Sequence, residues 1–129
     1  MPVRLLNSSV IKWPDENQVL SSLQKWIEVI LPMNKEILQI GYFGSYARGD
    51  WGVGSDLDIV IILRQSNLPF GKRNQVWEEH ILPVPTDVLI YTQEEWEKMR
   101  VEESLFFSRM NREIKWVYSM KTVNCECEP

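Results

Sequence analysis

A chain of 129 residues with 44% hydrophobic and 25% charged side chains has the make-up of one soluble globular domain with a proper core. Its 14 Lys and Arg against 18 Asp and Glu give a net charge of −4, which argues against broad electrostatic binding to nucleic acid. No apolar run is long enough to cross a membrane, and the N-terminus lacks the continuous apolar core of a secretory signal, so the cytoplasm is the expected compartment. A single domain is expected over residues 1–120, with 121–129 as a flexible tail. Cys125 and Cys127 fall in that tail and are given no function.

Residues 1–13 are mixed and suggest an irregular or edge segment. Pro14-Asp15-Glu16 then reads as a helix start, with acids that favour the positive N-terminal end. Val19, Leu20, Leu23, Trp26, Ile27 and Ile30 follow at helical spacing, so one face of this helix should pack on a sheet. Pro32 should end it. Residues 37–43 form an apolar run that predicts a central strand, broken at Gly44.

The stretch from Gly44 to Leu63 carries the chemistry. Gly44 permits backbone angles closed to other residues and lets the main chain approach a ligand closely. A short helix starting at Ser45 would offer free N–H groups to phosphate oxygens. Asp56 and Asp58 are two apart, and on a strand both carboxylates point to one face. Residues 59–63 continue as a buried strand. Paired carboxylates repel unless a cation holds them, and an oxygen-only set suits a hard divalent ion, Mg²⁺ or Mn²⁺. The natural substrate beside such an ion is a nucleoside triphosphate.

Two look-alikes fail. Gly44-x-x-x-x-Gly49 imitates a P-loop, but Asp50-Trp51 stands where Lys and Ser or Thr are needed. Asp56-x-Asp58 imitates a calcium loop, but the following residues are strand and lack its Gly and Glu. Between the glycines, Arg48 could contact a triphosphate or pair with Asp50 or another acid. Trp51 could stack on a base, meet a partner, or pack on its own domain.

Residues 69–82 predict a helix with Val76, Trp77, His80 and Ile81 at helical spacings, and His80 has no companion ligand nearby. Pro83 and Pro85 lead into a strand over 87–91, opened by Asp87. Thr92 and Glu95 form a capping box for a helix that should carry Trp96, Met99 and Val101 inward. A further helical piece through Leu105, Phe106 and Met110 precedes a strand over 114–118. These aromatic and methionine side chains are read as core, with a partner surface as the alternative for any left exposed.

Gly44-Ser45-Tyr46-Ala47-Arg48-Gly49, with Ser55 before Asp56-Leu57-Asp58 and a third acid at Asp87, resembles the signature of the DNA polymerase β-type nucleotidyltransferase superfamily. It is most similar to the minimal nucleotidyltransferase (MNT) branch, which includes the antitoxins of HEPN–MNT toxin–antitoxin pairs. The resemblance covers residues 37–91 well and 112–118 loosely; Ile114 stands where the family usually has Gly. It implies an α+β nucleotidyltransferase fold, a small mixed sheet with helices packed mainly on one face. It further implies Asp56, Asp58 and Asp87 as catalytic and metal-binding residues, and Gly44, Ser45, Arg48 and Ser55 at the nucleotide. The activity implied is transfer of AMP from ATP to a hydroxyl.

The catalytic core takes up nearly the whole length, so the acceptor is expected on another protein, by resemblance a HEPN-domain toxin modified on tyrosine. The alternatives are a non-catalytic antitoxin that neutralises its partner by contact, and transfer to a small molecule such as an antibiotic. Homodimerisation stays open, with Trp51 and the late aromatics as candidate surfaces.

Overall fold

The computed structural model of the chain describes residues 14–76 and 82–120, with the side chains of 74–76 left aside. The expectations for residues 1–13, for Trp77, His80 and Ile81, and for the tail with Cys125 and Cys127 lie outside the described residues.

The first helix, α1 (Glu16–Ile30), begins where the acids predict it. Asp15 accepts a hydrogen bond from the Gln18 backbone N–H, and the Gln18 side chain answers by accepting from the Asp15 N–H. Val19, Leu23, Trp26, Ile27 and Ile30 are buried along one stripe, and Leu20 packs at its edge. Pro32 sits in a short 3-10 turn, Leu31–Met33, that closes the helix.

Four strands form one mixed sheet in the order β3-β2-β1-β4. β1 (Ile37–Phe43) is antiparallel both to β2 (Leu57–Leu63) and to β4 (Lys115–Ser119), while β3 (Thr86–Thr92) lies parallel to β2. A single helical turn, α2 (Ser45–Arg48), follows β1. Two further helices, α3 (Gln93–Glu102) and α4 (Leu105–Glu113), connect β3 to β4. This is the expected α+β arrangement.

Strand alternation divides the core. Leu57, Ile59, Ile61 and Leu63 join Ile40, Tyr42, Val88 and Ile90 under α1, which provides the main helical cover. On the other face Trp96 of α3 meets Tyr91, Phe107 and Trp116 ring to ring, at centroid distances of 5.8, 4.9 and 5.9 Å. Gly41 is required there: a Cβ would lie 2.8 Å from Trp116 and 2.9 Å from the Lys115 carbonyl oxygen.

Two expectations need correction. Val101, Leu105 and Phe106 are exposed, because the short α3 and α4 turn Trp96, Phe107 and Met110 toward the sheet instead. The described part of residues 69–82 is a 3-10 helix, Phe70–Val76, rather than an α-helix. A buried Arg73, unremarked in the sequence, anchors it: its guanidinium donates to the carbonyls of Leu68 and Ile90 and to both oxygens of Glu95. Those acceptors satisfy a cation that would be costly to bury alone.

The stripe on α1 has a direct test. Trp26→Ala is expected to cost about 3–5 kcal/mol in urea unfolding, whereas Val29→Ala on the exposed side should cost about 0.5 kcal/mol or less. Equal losses at the two positions would contradict this facing of the helix.

Candidate active site

The C-terminal end of β1 and the N-terminal end of β2 meet in register, so Phe43 lies opposite Asp58. On the other side of β2, Asp58 is paired with Asp87 in the parallel ladder. Asp58 therefore stands between the strand that delivers Gly44 and the strand that delivers Asp87. Gly44 has a positive φ of 81°, and a Cβ added there would run into the Asp58 carboxylate. Only glycine lets the main chain turn so close to that acid.

Beyond Gly44 the backbone makes its one helical turn and leaves it through Gly49, also at positive φ. Ala47 and Arg48 N–H groups bond back to the Gly44 carbonyl. The expected start at Ser45 is present, although one turn carries little macrodipole. Trp51 stacks on buried Tyr46 at 5.4 Å and 10°, and its indole N–H donates to Glu16 at 3.3 Å. Of the readings left open for Trp51, packing on its own domain is the one seen.

An open cleft of about 360 Å³ forms beside this turn, within the size range of small-ligand sites. One wall is Phe43, Gly44, Ser45 and Arg48, the floor holds Asp56 and Asp58, and α4 supplies Phe106, Arg109, Met110 and Glu113. Asp87 is exposed next to Asp58 and outside the cleft wall. Ser55 is also outside it: its hydroxyl oxygen accepts from the Gly52 N–H at 2.8 Å and ties the loop that leads to Asp56. The expected site residues thus gather at one corner, with Ser55 holding the loop and Asp87 at the rim.

The four residues from α4 were missed. Their spacing (106, 109, 110, 113) is a helical stripe visible in the sequence, but such a stripe is ordinarily core, and two of its members were read so. Glu113 makes the most specific contacts. Its carboxylate accepts from the Gly44 N–H at 3.1 Å and from the Arg48 guanidinium at 3.1 Å. Arg48 also donates to Asp50 at 3.1 Å, so the ion-pair reading of Arg48 holds in this state while the side chain still lines the cleft.

Burial, with the nearby Asp87 and Asp56 charges, pushes the Asp58 carboxyl up to about 6; Arg48 partly offsets this and Glu113 adds to it. Among the described residues no three His, Cys, Asp or Glu side chains already stand as an ion-holding cluster. The donor chemistry nevertheless fits a hard divalent ion, since the corner offers only oxygen and a cation would relieve the crowding at Asp58.

A model of the nucleotidyltransferase domain family matches residues 23–111, which include all three aspartates. The chain belongs to that family. A solved structure from Sulfolobus solfataricus, assigned as a nucleotidyltransferase, shares the fold with a TM-score of 0.61 and 18% identity, over 83% of this chain and 86% of its own. A toxin–antitoxin structure with AMP-PNP is similar at a TM-score of 0.49 and 17% identity, over 84% of this chain and 76% of that one. No curated protein sequence matches. Among the described residues no helix is long and apolar enough to cross a membrane.

The raised Asp58 carboxyl has a consequence for stability. Its folded value near 6 exceeds the ordinary 3.8, so protonation favours the fold; that contribution is full below about 4 and is lost as pH rises through 6. Asp58→Asn should therefore stabilise the ligand-free chain at pH 7.5 by about 1 kcal/mol, after discounting for solvent screening of a half-exposed group. The gain should vanish by pH 4. Thermal unfolding at the two pH values checks this, and a gain equal at both would contradict it.

Proposed function

We propose that the chain moves a nucleoside monophosphate, AMP from ATP, onto a hydroxyl group of a partner protein. One observation carries the reading: the α-carbon of Gly44 lies against the Asp58 carboxylate, so a phosphate chain held along that glycine would lie beside the acids. The family match supports the class of reaction. Asp56 and Asp58 would hold Mg²⁺, or Mn²⁺ in its place, with Asp87 at their side. Such an ion supplies charge neutralisation for the triphosphate when bound.

The remaining work falls to the chain's own groups. Gly44 and Ser45 would grip phosphate oxygens through backbone N–H and the Ser45 hydroxyl, and Arg48 would add its guanidinium. Ser55 would steady the loop that presents Asp56. Asp87 would orient the incoming hydroxyl and accept its proton. The acceptor oxygen bonds to the α-phosphorus, the bond from that phosphorus to the bridging oxygen breaks, and pyrophosphate leaves. The exposed Val101, Leu105 and Phe106, close to the cleft through Phe106, offer apolar area to a partner that brings the hydroxyl. The likeness of the Gly44–Asp58 motif to MNT antitoxins supports a HEPN-domain protein with a tyrosine acceptor, and a cytoplasmic role.

The test uses ATP labelled on the α-phosphate, Mg²⁺, the chain and the product of the neighbouring gene. Label should enter the partner, and Asp56→Asn/Asp58→Asn should reduce it about a thousandfold or more. A partner neutralised by the wild-type chain without any label would instead favour silencing by contact. Labelling that the double substitution left unchanged would remove the aspartates from the mechanism.

A further inference from the structure

The donors best placed to receive a phosphate oxygen are already in use. In the ligand-free chain one carboxylate oxygen of Glu113 takes the Gly44 N–H at 3.1 Å, and the other takes the Arg48 guanidinium at 3.1 Å. Sixty-nine and sixty-five residues separate these partners in sequence, so the fold brings them together and no local turn explains the contact. We infer that Glu113 is a displaceable internal anion, which holds the glycine turn and Arg48 in phosphate-ready geometry and competes with the triphosphate for them. This inference rests on the nucleotide reading above.

Three features make Glu113 able to yield. It is the last residue of α4, and the cap bond from the Ile114 N–H to the Met110 carbonyl does not involve its side chain. Its side chain is one-fifth exposed and opens on the cleft, so it can swing outward without opening the core. Arg48 keeps Asp50 as a second partner at 3.1 Å when Glu113 leaves, which lowers the cost of release. A carboxylate also suits the task chemically. It offers two oxygens to the same N–H and guanidinium donors that a phosphate would use, with one negative charge instead of several. A triphosphate with its cation can therefore outcompete it, whereas a lone weak anion cannot.

The charge balance of the corner adds a reason for release. Glu113 contributes to the negative field at Asp58, together with Asp87 and Asp56. Retaining it beside an incoming triphosphate would place like charges together, so binding and departure of the Glu113 carboxylate are coupled. Glu113 is thus a positioning residue that sets the affinity of the site; it touches no reacting atom.

The experiment measures binding of the α,β-methylene analogue of ATP with Mg²⁺ by calorimetry, to the wild-type chain, Glu113→Gln and Glu113→Asp. Glu113→Gln removes the competing charge and keeps the length, and should bind about five- to tenfold more tightly. Glu113→Asp keeps the charge but is too short to bridge both donors, and should fall between the two. Thermal unfolding without ligand should rank Glu113→Gln no higher than wild type. A merely structural residue would instead give weaker binding along with the lower stability. Wild-type binding that Glu113→Gln leaves equal or weakens would overturn the competition and leave the nucleotide reading standing. Absence of binding by the folded wild-type chain and both variants would overturn the nucleotide reading, and this inference with it.

Discussion

The contact on which the rest of the site depends is the approach of the Gly44 backbone to the Asp58 carboxylate. It follows from the antiparallel register of β1 and β2, which ends with Phe43 opposite Asp58. A side chain at residue 44 would collide with that carboxylate, and the positive φ would strain any residue with a Cβ. The glycine thus joins a backbone turn able to meet phosphates to acids able to meet a cation. Asp87 joins the same point because β3 runs parallel to β2 in a register that pairs it with Asp58.

Two ion-paired arginines of the chain show how differently the fold treats charge. Arg73 is buried and meets two carbonyls and both oxygens of Glu95, whose own carboxyl is held below the ordinary range mainly by that guanidinium. Such a closed arrangement fixes the segment before β3 against α3. Arg48 is half exposed, shared between Asp50 and Glu113, and faces an open cleft. A guanidinium whose partners are rim carboxylates can exchange them for phosphate at low cost. The Asp58 carboxyl is raised first by its burial and then by the neighbouring Asp87 and Asp56 charges, which Arg48 offsets only in part.

Much of the fold was legible because local signals agreed with the tertiary result. The helix start at Asp15, the Thr92 capping box, the α1 stripe, and the apolar runs before Gly44 and following Asp58 all appear where the sequence puts them. Asp56 and Asp58 were legible as candidates because spacing on a strand decides which face a side chain takes, and Asp87 only because the resemblance implies a third acid on a later strand. What was not legible depended on contacts distant in sequence. Helical periodicity in α4 marks a stripe but not what it faces, so Phe106 was read as core when it is exposed at the cleft, while Met110 is buried as expected and also borders the cleft. Glu113 and Arg73 gave no local sign, since an acid at a helix end and a base in a polar segment are ordinarily solvated. Trp51 was undecided because its indole N–H donates to Glu16, 35 residues away, a contact with no local sign.

The central claim is that this corner cleaves a nucleoside triphosphate between its α- and β-phosphates and keeps the nucleotide end. The most direct measurement supplies ATP labelled either on the α- or on the γ-phosphate to the chain, Mg²⁺ and the neighbouring gene product, and follows each label separately. The account requires the α-label on the acceptor and the γ-label in released pyrophosphate. A γ-label on the acceptor, or released as free phosphate with ADP, would make the chemistry phosphoryl transfer or hydrolysis and contradict the account.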